Sequence, residues 1–257
     1  MISRNGGEHT VRFEPCGRRV RAYLQGVAVA DSTQVRLMFE TGHLPVYYFP
    51  VADVKMDLLD ATDHHTHCPY KGEASYYSIR AGDTVAENAA WHYRAPLPTA
   101  PNELADEIAF YWDKMDQWLE EDDEVFVHPR DPYHRVDVLH SSRHVEVKVN
   151  GEIVADTRRP RLLFETGMPT RYYIPKVDVR LDVLEDSDTV SRCPYKGVAS
   201  YYSMRTGDGV VNDVAWYYPS PIPECPKIEN MVCFFNERAD AILVDGQAES
   251  KPTTPWS

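Results

Sequence analysis

The feature that most constrains this chain is that one stretch of its sequence occurs twice. Residues 31–91 match residues 156–216 without a gap. Phe39-Glu40-Thr41-Gly42 returns as Phe164-Glu165-Thr166-Gly167, and Tyr47-Tyr48-Phe49-Pro50 as Tyr172-Tyr173-Ile174-Pro175. Cys68-Pro69-Tyr70-Lys71-Gly72 returns as Cys193-Pro194-Tyr195-Lys196-Gly197. One deletion then aligns Phe110-Tyr111-Trp112-Asp113 with Phe234-Phe235-Asn236-Glu237. Each copy is of domain size, too long for a solenoid unit of roughly 20–50 residues. We expect a first repeat domain at 11–124 and a second at 125–257, the latter including an ordered, aromatic linker at 125–136. Two pseudo-symmetric repeats would form a pseudo-dimer within one chain, compatible with a monomer.

Within a copy the pattern is mainly strand. Val20 to Leu24 alternates, turns at Gln25-Gly26 and continues at Val27, and Val145 to Asn150-Gly151 repeats that hairpin with a stronger turn dipeptide. Further strands are expected at 36–40, 46–49, 54–58, 74–80 and 88–93. One helix per copy is also expected. Asn102 would cap it, and Leu104, Ile108, Tyr111, Met115 and Trp118 recur at helical spacing. The acidic run 120–124 would close it as a solvated turn.

Composition narrows the partners. The 257 residues are 43% hydrophobic, enough for a real core, and carry a formal net charge of -13. A nucleic-acid backbone would be repelled by such a surface. The polar start lacks a secretory h-region, and no apolar run approaches the roughly 20 residues of a membrane-spanning helix. The five cysteines are odd in number and widely spaced, which does not read as a disulfide framework. A cytoplasmic setting, with no membrane partner, is expected.

The carrying motifs are Glu40-Thr41-Gly42, Tyr47-Tyr48-Phe49-Pro50, Asp53-Val54, Cys68-Pro69-Tyr70-Lys71-Gly72, the Ser-Tyr-Tyr that follows it, and Ala90-Trp91. By these residues the chain resembles the largely bacterial and fungal DUF427 family, a domain of unknown function, in a tandem version covering nearly the whole sequence. The resemblance implies antiparallel, β-tent-like domains and implies no activity. A nucleotidyltransferase label sometimes attached to the family finds no support in the residues: there is no Gly-rich phosphate loop of the P-loop or Rossmann kind.

The Cys-Pro-Tyr-Lys-Gly segment is the candidate site. Pro69 fixes φ and Gly72 permits a turn or a close backbone approach, which would present Tyr70 and Lys71 with little freedom. Lys71 can bind a carboxylate or phosphate, or act as a nucleophile if desolvated. Tyr48, Tyr70, Tyr76 and Trp91 offer an apolar wall with polar tips, beside Cys68 and Glu40. The second copy offers Glu165, Tyr173, Cys193, Tyr195, Lys196, Tyr201 and Trp216. A purely structural reading stands beside this one, with Cys68 as a core residue and Lys71 paired to Asp57 or Glu40.

His64, His65 and His67 next to Cys68 invite zinc or thiolate chemistry. The second copy opposes His65 and His67 with Val190 and Arg192, so no metal and no cofactor is expected. Three functions follow in order. The first is a small-molecule binding module. The second is an enzyme using Lys71/Lys196 or Tyr70/Tyr195 with a carboxylate. The third is an interaction or scaffold protein presenting Trp118, Tyr133 and Trp256.

Overall fold

The computed structural model describes residues 9–207 and 209–257. The chain divides into two compact units, with the boundary between Asp131 and Pro132. The first carries β1 (Val11–Pro15), β2 (Val20–Leu24), β3 (Val27–Ser32), β4 (Arg36–Glu40), β5 (Val46–Pro50), β6 (Leu59–Cys68), β7 (Gly72–Ala81), β8 (Thr84–His92), β9 (Glu107–Phe110), β10 (Gln117–Glu120) and β11 (Asp123–Glu124). These form a seven-stranded sheet ordered β1-β4-β5-β9-β8-β7-β6 and a four-stranded sheet ordered β11-β10-β2-β3. Every strand pairing is antiparallel.

The second unit repeats the plan. Its strands are β12 (Val136–His140), β13 (Val145–Val149), β14 (Glu152–Thr157), β15 (Arg161–Glu165), β16 (Arg171–Pro175), β17 (Leu184–Cys193), β18 (Gly197–Thr206), β19 (Gly209–Tyr217), β20 (Met231–Phe234), β21 (Ala241–Val244) and β22 (Gln247–Ala248). The sheets run β12-β15-β16-β20-β19-β18-β17 and β14-β13-β21-β22.

The seven-stranded sheet of the first unit is apolar on both faces, and alternation assigns each residue to one of them. Leu37, Tyr47, Phe49, Tyr77, Ile79 and Phe110 pack with Val20, Ala22, Leu24 and Trp118 from the four-stranded sheet. Their neighbours Met38, Tyr48, Ala74, Tyr76 and Ala109 form a separate cluster on the opposite face. That second face carries the site. The expected hairpins are present, and their turns at Gln25-Gly26 and Asn150-Gly151 have both central residues at positive φ.

The helix expected over 102–118 is not formed, nor is its counterpart in the second unit. The described residues contain only short 3-10 turns as helix, here Asn102–Asp106 and Trp112–Lys114 on either side of β9. The four residues of β9 are all buried, between β5 and β8. A short strand apolar on both faces gives the same local signal as a buried helical turn. The hydrogen bonds that decide the matter come from strands distant in sequence.

Residues 54–58 are likewise not a strand. Two 3-10 turns, Val51–Asp53 and Met56–Leu58, flank Val54, which bridges to Ala30. The acidic run is only partly solvated. Glu120 is 6% exposed and accepts hydrogen bonds from the Tyr47 hydroxyl and from Arg18. Trp118 is buried and stacks on Trp112, so it cannot serve a surface patch. No helix among the described residues is long and apolar enough to cross a membrane.

Candidate functional site

The Cys-Pro-Tyr-Lys-Gly segment is the turn between β6 and β7. Lys71 N–H donates to the Cys68 carbonyl at 3.3 Å, which closes a β-turn with Pro69 at the position its fixed φ suits. Gly72 leaves the turn at φ +102°, outside the range open to L side chains. A Cβ there would lie 3.4 Å from the Ala95 carbonyl oxygen, because residues 95–97 cross close over the turn. Leu97 N–H donates to the Lys71 carbonyl at 3.0 Å. The second unit reproduces this, with Gly197 at φ +105° and Ile222 N–H donating to Lys196 at 3.1 Å.

Held this way, Lys71 points inward. It is 6% exposed, and its ammonium donates to Glu40 at the end of β4. The other carboxylate oxygen of Glu40 is hydrogen-bonded to His9 Nε2 at 3.1 Å. His9 in turn stacks on Tyr70, ring centroids 3.5 Å apart. The second unit has the same four partners. Lys196 bonds Glu165 at 2.6 Å, His134 bonds Glu165 at 3.0 Å, and His134 stacks on Tyr195 at 4.1 Å.

The charges settle each other. Burial alone would raise the Glu40 pKa, but the Lys71 contact and charge, with His43 and His9, bring it below the ordinary value. Glu165 behaves alike beneath Lys196 and His134. For Lys196 burial pulls the pKa down, yet Cys193 and Glu165 outweigh it and the net shift is upward. This lysine is a fixed ammonium and not a free amine.

Next to the ion pair runs an aromatic row. Tyr48 on β5 faces Ala109 on β9, Ala109 faces Trp91 on β8, and Trp91 faces Tyr76 on β7. The small Ala109 leaves space for Trp91 Nε1 to donate to the Tyr48 hydroxyl at 3.1 Å. Tyr76 is held by Thr66 at 2.9 Å and lies parallel to Tyr111. Tyr111 also packs on Trp91, ring centroids 4.7 Å apart. In the second unit Tyr173, Cys233, Trp216 and Tyr201 form the matching row, with Trp216 donating to Tyr173 at 3.1 Å.

In the first unit these elements border an open cleft of about 290 Å³. Of the residues singled out in sequence, Glu40, Tyr48, Lys71, Tyr76 and Trp91 line it. Tyr70 and Cys68 do not. Tyr70 is exposed beneath His9, and Cys68 packs against the cluster of Met38, Tyr48 and Tyr93. Tyr93, Tyr111, His43 and Val46 line the cleft and were not singled out.

Nor were His9 and His134. The ungapped match runs from residue 31 and the hairpin match from Val20, but the spacing of 125 residues extends further back to His9 and His134 in register (9 to 134, 31 to 156). That spacing was the available signal. The triple-histidine cluster is exposed: His67 bonds Glu73 at 2.6 Å and His64 packs edge-on against Tyr76.

The corresponding surface of the second unit differs at several positions, with Met168 for His43, Cys233 for Ala109, Phe235 for Tyr111 and Asn236 for Trp112. At the position of Val46 the second unit has Arg171, 5% exposed, with its guanidinium 5.4 Å from the Trp216 ring centroid. Glu237 receives both terminal nitrogens at 2.8 Å, Asn236 accepts a third bond at 3.0 Å, and Trp256 lies over the guanidinium at 5.6 Å.

A search of curated proteins returned no match to the chain. A family model described as a domain of unknown function, DUF427, matches residues 12–121 and again residues 137–245. This chain is a tandem member of the DUF427 family.

Proposed function

We propose that the chain is a small-molecule binding module whose open site is the first-unit cleft around Glu40, Lys71, Tyr76 and Trp91. The observation that carries this reading is convergence. Residues from β4, β5, β7, β8 and the β6–β7 turn meet on one concave surface that combines aromatic walls with the Glu40–Lys71 ion pair and tyrosine hydroxyls, a make-up suited to a ligand site.

The enzyme alternative is less well supported. A nucleophilic lysine needs a lowered pKa, and Lys196 is shifted upward while Lys71 is engaged by Glu40. Tyr70 is stacked on a histidine that already binds Glu40.

The test is a thermal-shift screen of metabolite classes against the full chain and against Tyr111→Ala, which alters the half-exposed rim. A ligand at about 100 times its dissociation constant stabilises by about 2.7 kcal/mol. The expected result is a class that stabilises the native chain and loses its effect in the variant. Stabilisation by no class, or equal stabilisation of both proteins, would sink the reading.

A further inference from the structure

We infer that the first-unit cleft takes the cationic end of an organic ligand, a guanidinium or an alkylammonium, and that Arg171 is the second unit's own built-in occupant of the same position. The inference rests on the binding reading above and adds the ligand's chemistry.

The second unit shows what this surface holds. Arg171 and Tyr173 are alternate residues of β16, as Val46 and Tyr48 are of β5, so both pairs face the aromatic row. The Arg171 guanidinium lies against Trp216 and Trp256 and is charge-paired to Glu237. An aromatic face with a carboxylate at its edge is a general cation receptor.

The first unit keeps the tryptophan face and a carboxylate in register, has Trp112 where Asn236 stands, and lacks the arginine. Trp91 stands for Trp216, Tyr111 for Phe235 and Asp113 for Glu237, while Val46 replaces the arginine. Exposure records the difference: Phe235 is 5% exposed, whereas Tyr111 is 40% exposed. Asp113 is exposed, near enough for its charge to oppose Tyr111 ionisation, and has no ion-pair partner among the described residues.

The adjacent lysine does not forbid a second cation. Its charge is cancelled by Glu40, and the second unit holds Lys196, Glu165 and His134 in the same arrangement alongside Arg171. An anionic ligand would find the lysine already engaged by Glu40.

Butylguanidinium and butylurea have nearly the same shape and differ in charge; butyrate supplies the opposite sign. Each is titrated into the full chain and followed at the Trp91 indole N–H resonance, assigned with Trp91→Phe. NMR reads millimolar binding, so weak fragments suffice.

We expect saturable shifts with butylguanidinium at least ten-fold tighter than with butylurea or butyrate. Asp113→Asn should weaken it several-fold. Val46→Arg, which carries its own guanidinium into the cleft, should abolish it. Butylurea or butyrate binding as tightly would overturn the charge assignment and leave the binding reading standing. So would a neutral or anionic binder from the broad screen when butylguanidinium gives no shift. Silence from all three probes and from the screen would overturn both.

Discussion

Glu107 carries a conflict that its counterpart in the second unit avoids. Its side chain is 7% exposed and bonds Arg36 at 2.9 Å, while its second oxygen is buried without a partner. Burial outweighs the Arg36 charge and moves the pKa up to about 7. An ordinary glutamate titrates near 4.5, so between that pH and about 7 the folded chain binds the proton more tightly. Stability from this group is therefore present at low pH and declines as pH rises through that window, by about 3 kcal/mol when ionisation is complete. Glu107→Gln should remove most of that slope. Urea unfolding at pH 5 and pH 8 checks it, and equal slopes in both proteins would clear Glu107 of the effect. The second unit places buried Met231 here, which has nothing to ionise.

The site pair gives a second residue-scale prediction. Lys71→Ala would leave Glu40 nearly buried and without its cation, at a cost of about 3–5 kcal/mol. Adding Glu40→Gln should recover much of the loss. A double-mutant cycle showing no coupling would mean that the pair does not hold the turn. Much of this site was legible from residue types, since Glu40, Lys71, Tyr48, Tyr76 and Trp91 all reach the cleft. The Lys71–Glu40 pairing, raised as a structural alternative, is present together with the cleft. The His9–Glu40 bond has no local sequence signal, because it joins residues 31 positions apart, His9 just before β1 and Glu40 at the end of β4, and only the repeat spacing points to it.

At the scale of elements, the hairpins were legible because their cause is local. Gln25-Gly26 and Asn150-Gly151 supply the two positive φ values the turn demands. β9 was not, because its partners β5 and β8 are remote in sequence. The β6–β7 turn lies between these cases: its Pro and Gly announced a turn, but the crossing of residues 95–97 was invisible. That crossing separates two kinds of glycine. Gly26 has φ +71° and open space around its Cβ position, so Gly26→Asn should cost no more than roughly a few tenths of a kcal/mol. Gly72 has φ +102° and the Ala95 carbonyl at 3.4 Å, so Gly72→Ala should cost about 1–3 kcal/mol. Thermal melts of the two variants decide it; a Gly72→Ala protein as stable as Gly26→Asn would show that the turn relaxes without loss.

At the scale of the whole chain, duplication has kept one scaffold and varied the side chains on it. Both units retain the turn, the Lys–Glu–His cluster and the aromatic row, which a shared fold would preserve with or without a ligand. The divergence at Val46 and Arg171 is therefore the informative position, because on the proposed reading it decides whether the protein fills this place with its own cation. It makes the number of cation sites per chain a readout. The native chain should bind one equivalent of butylguanidinium and Val46→Arg none. Arg171→Val removes the built-in occupant and leaves Glu237 without its partner, so it should lose about 3–5 kcal/mol of stability. It should also gain a second equivalent, which restores part of that loss by mass action. Calorimetric titration of the three proteins gives the count directly. A single equivalent in a folded Arg171→Val chain would mean that the arginine fills a structural gap, and that the resemblance between the two units does not extend to a cation site.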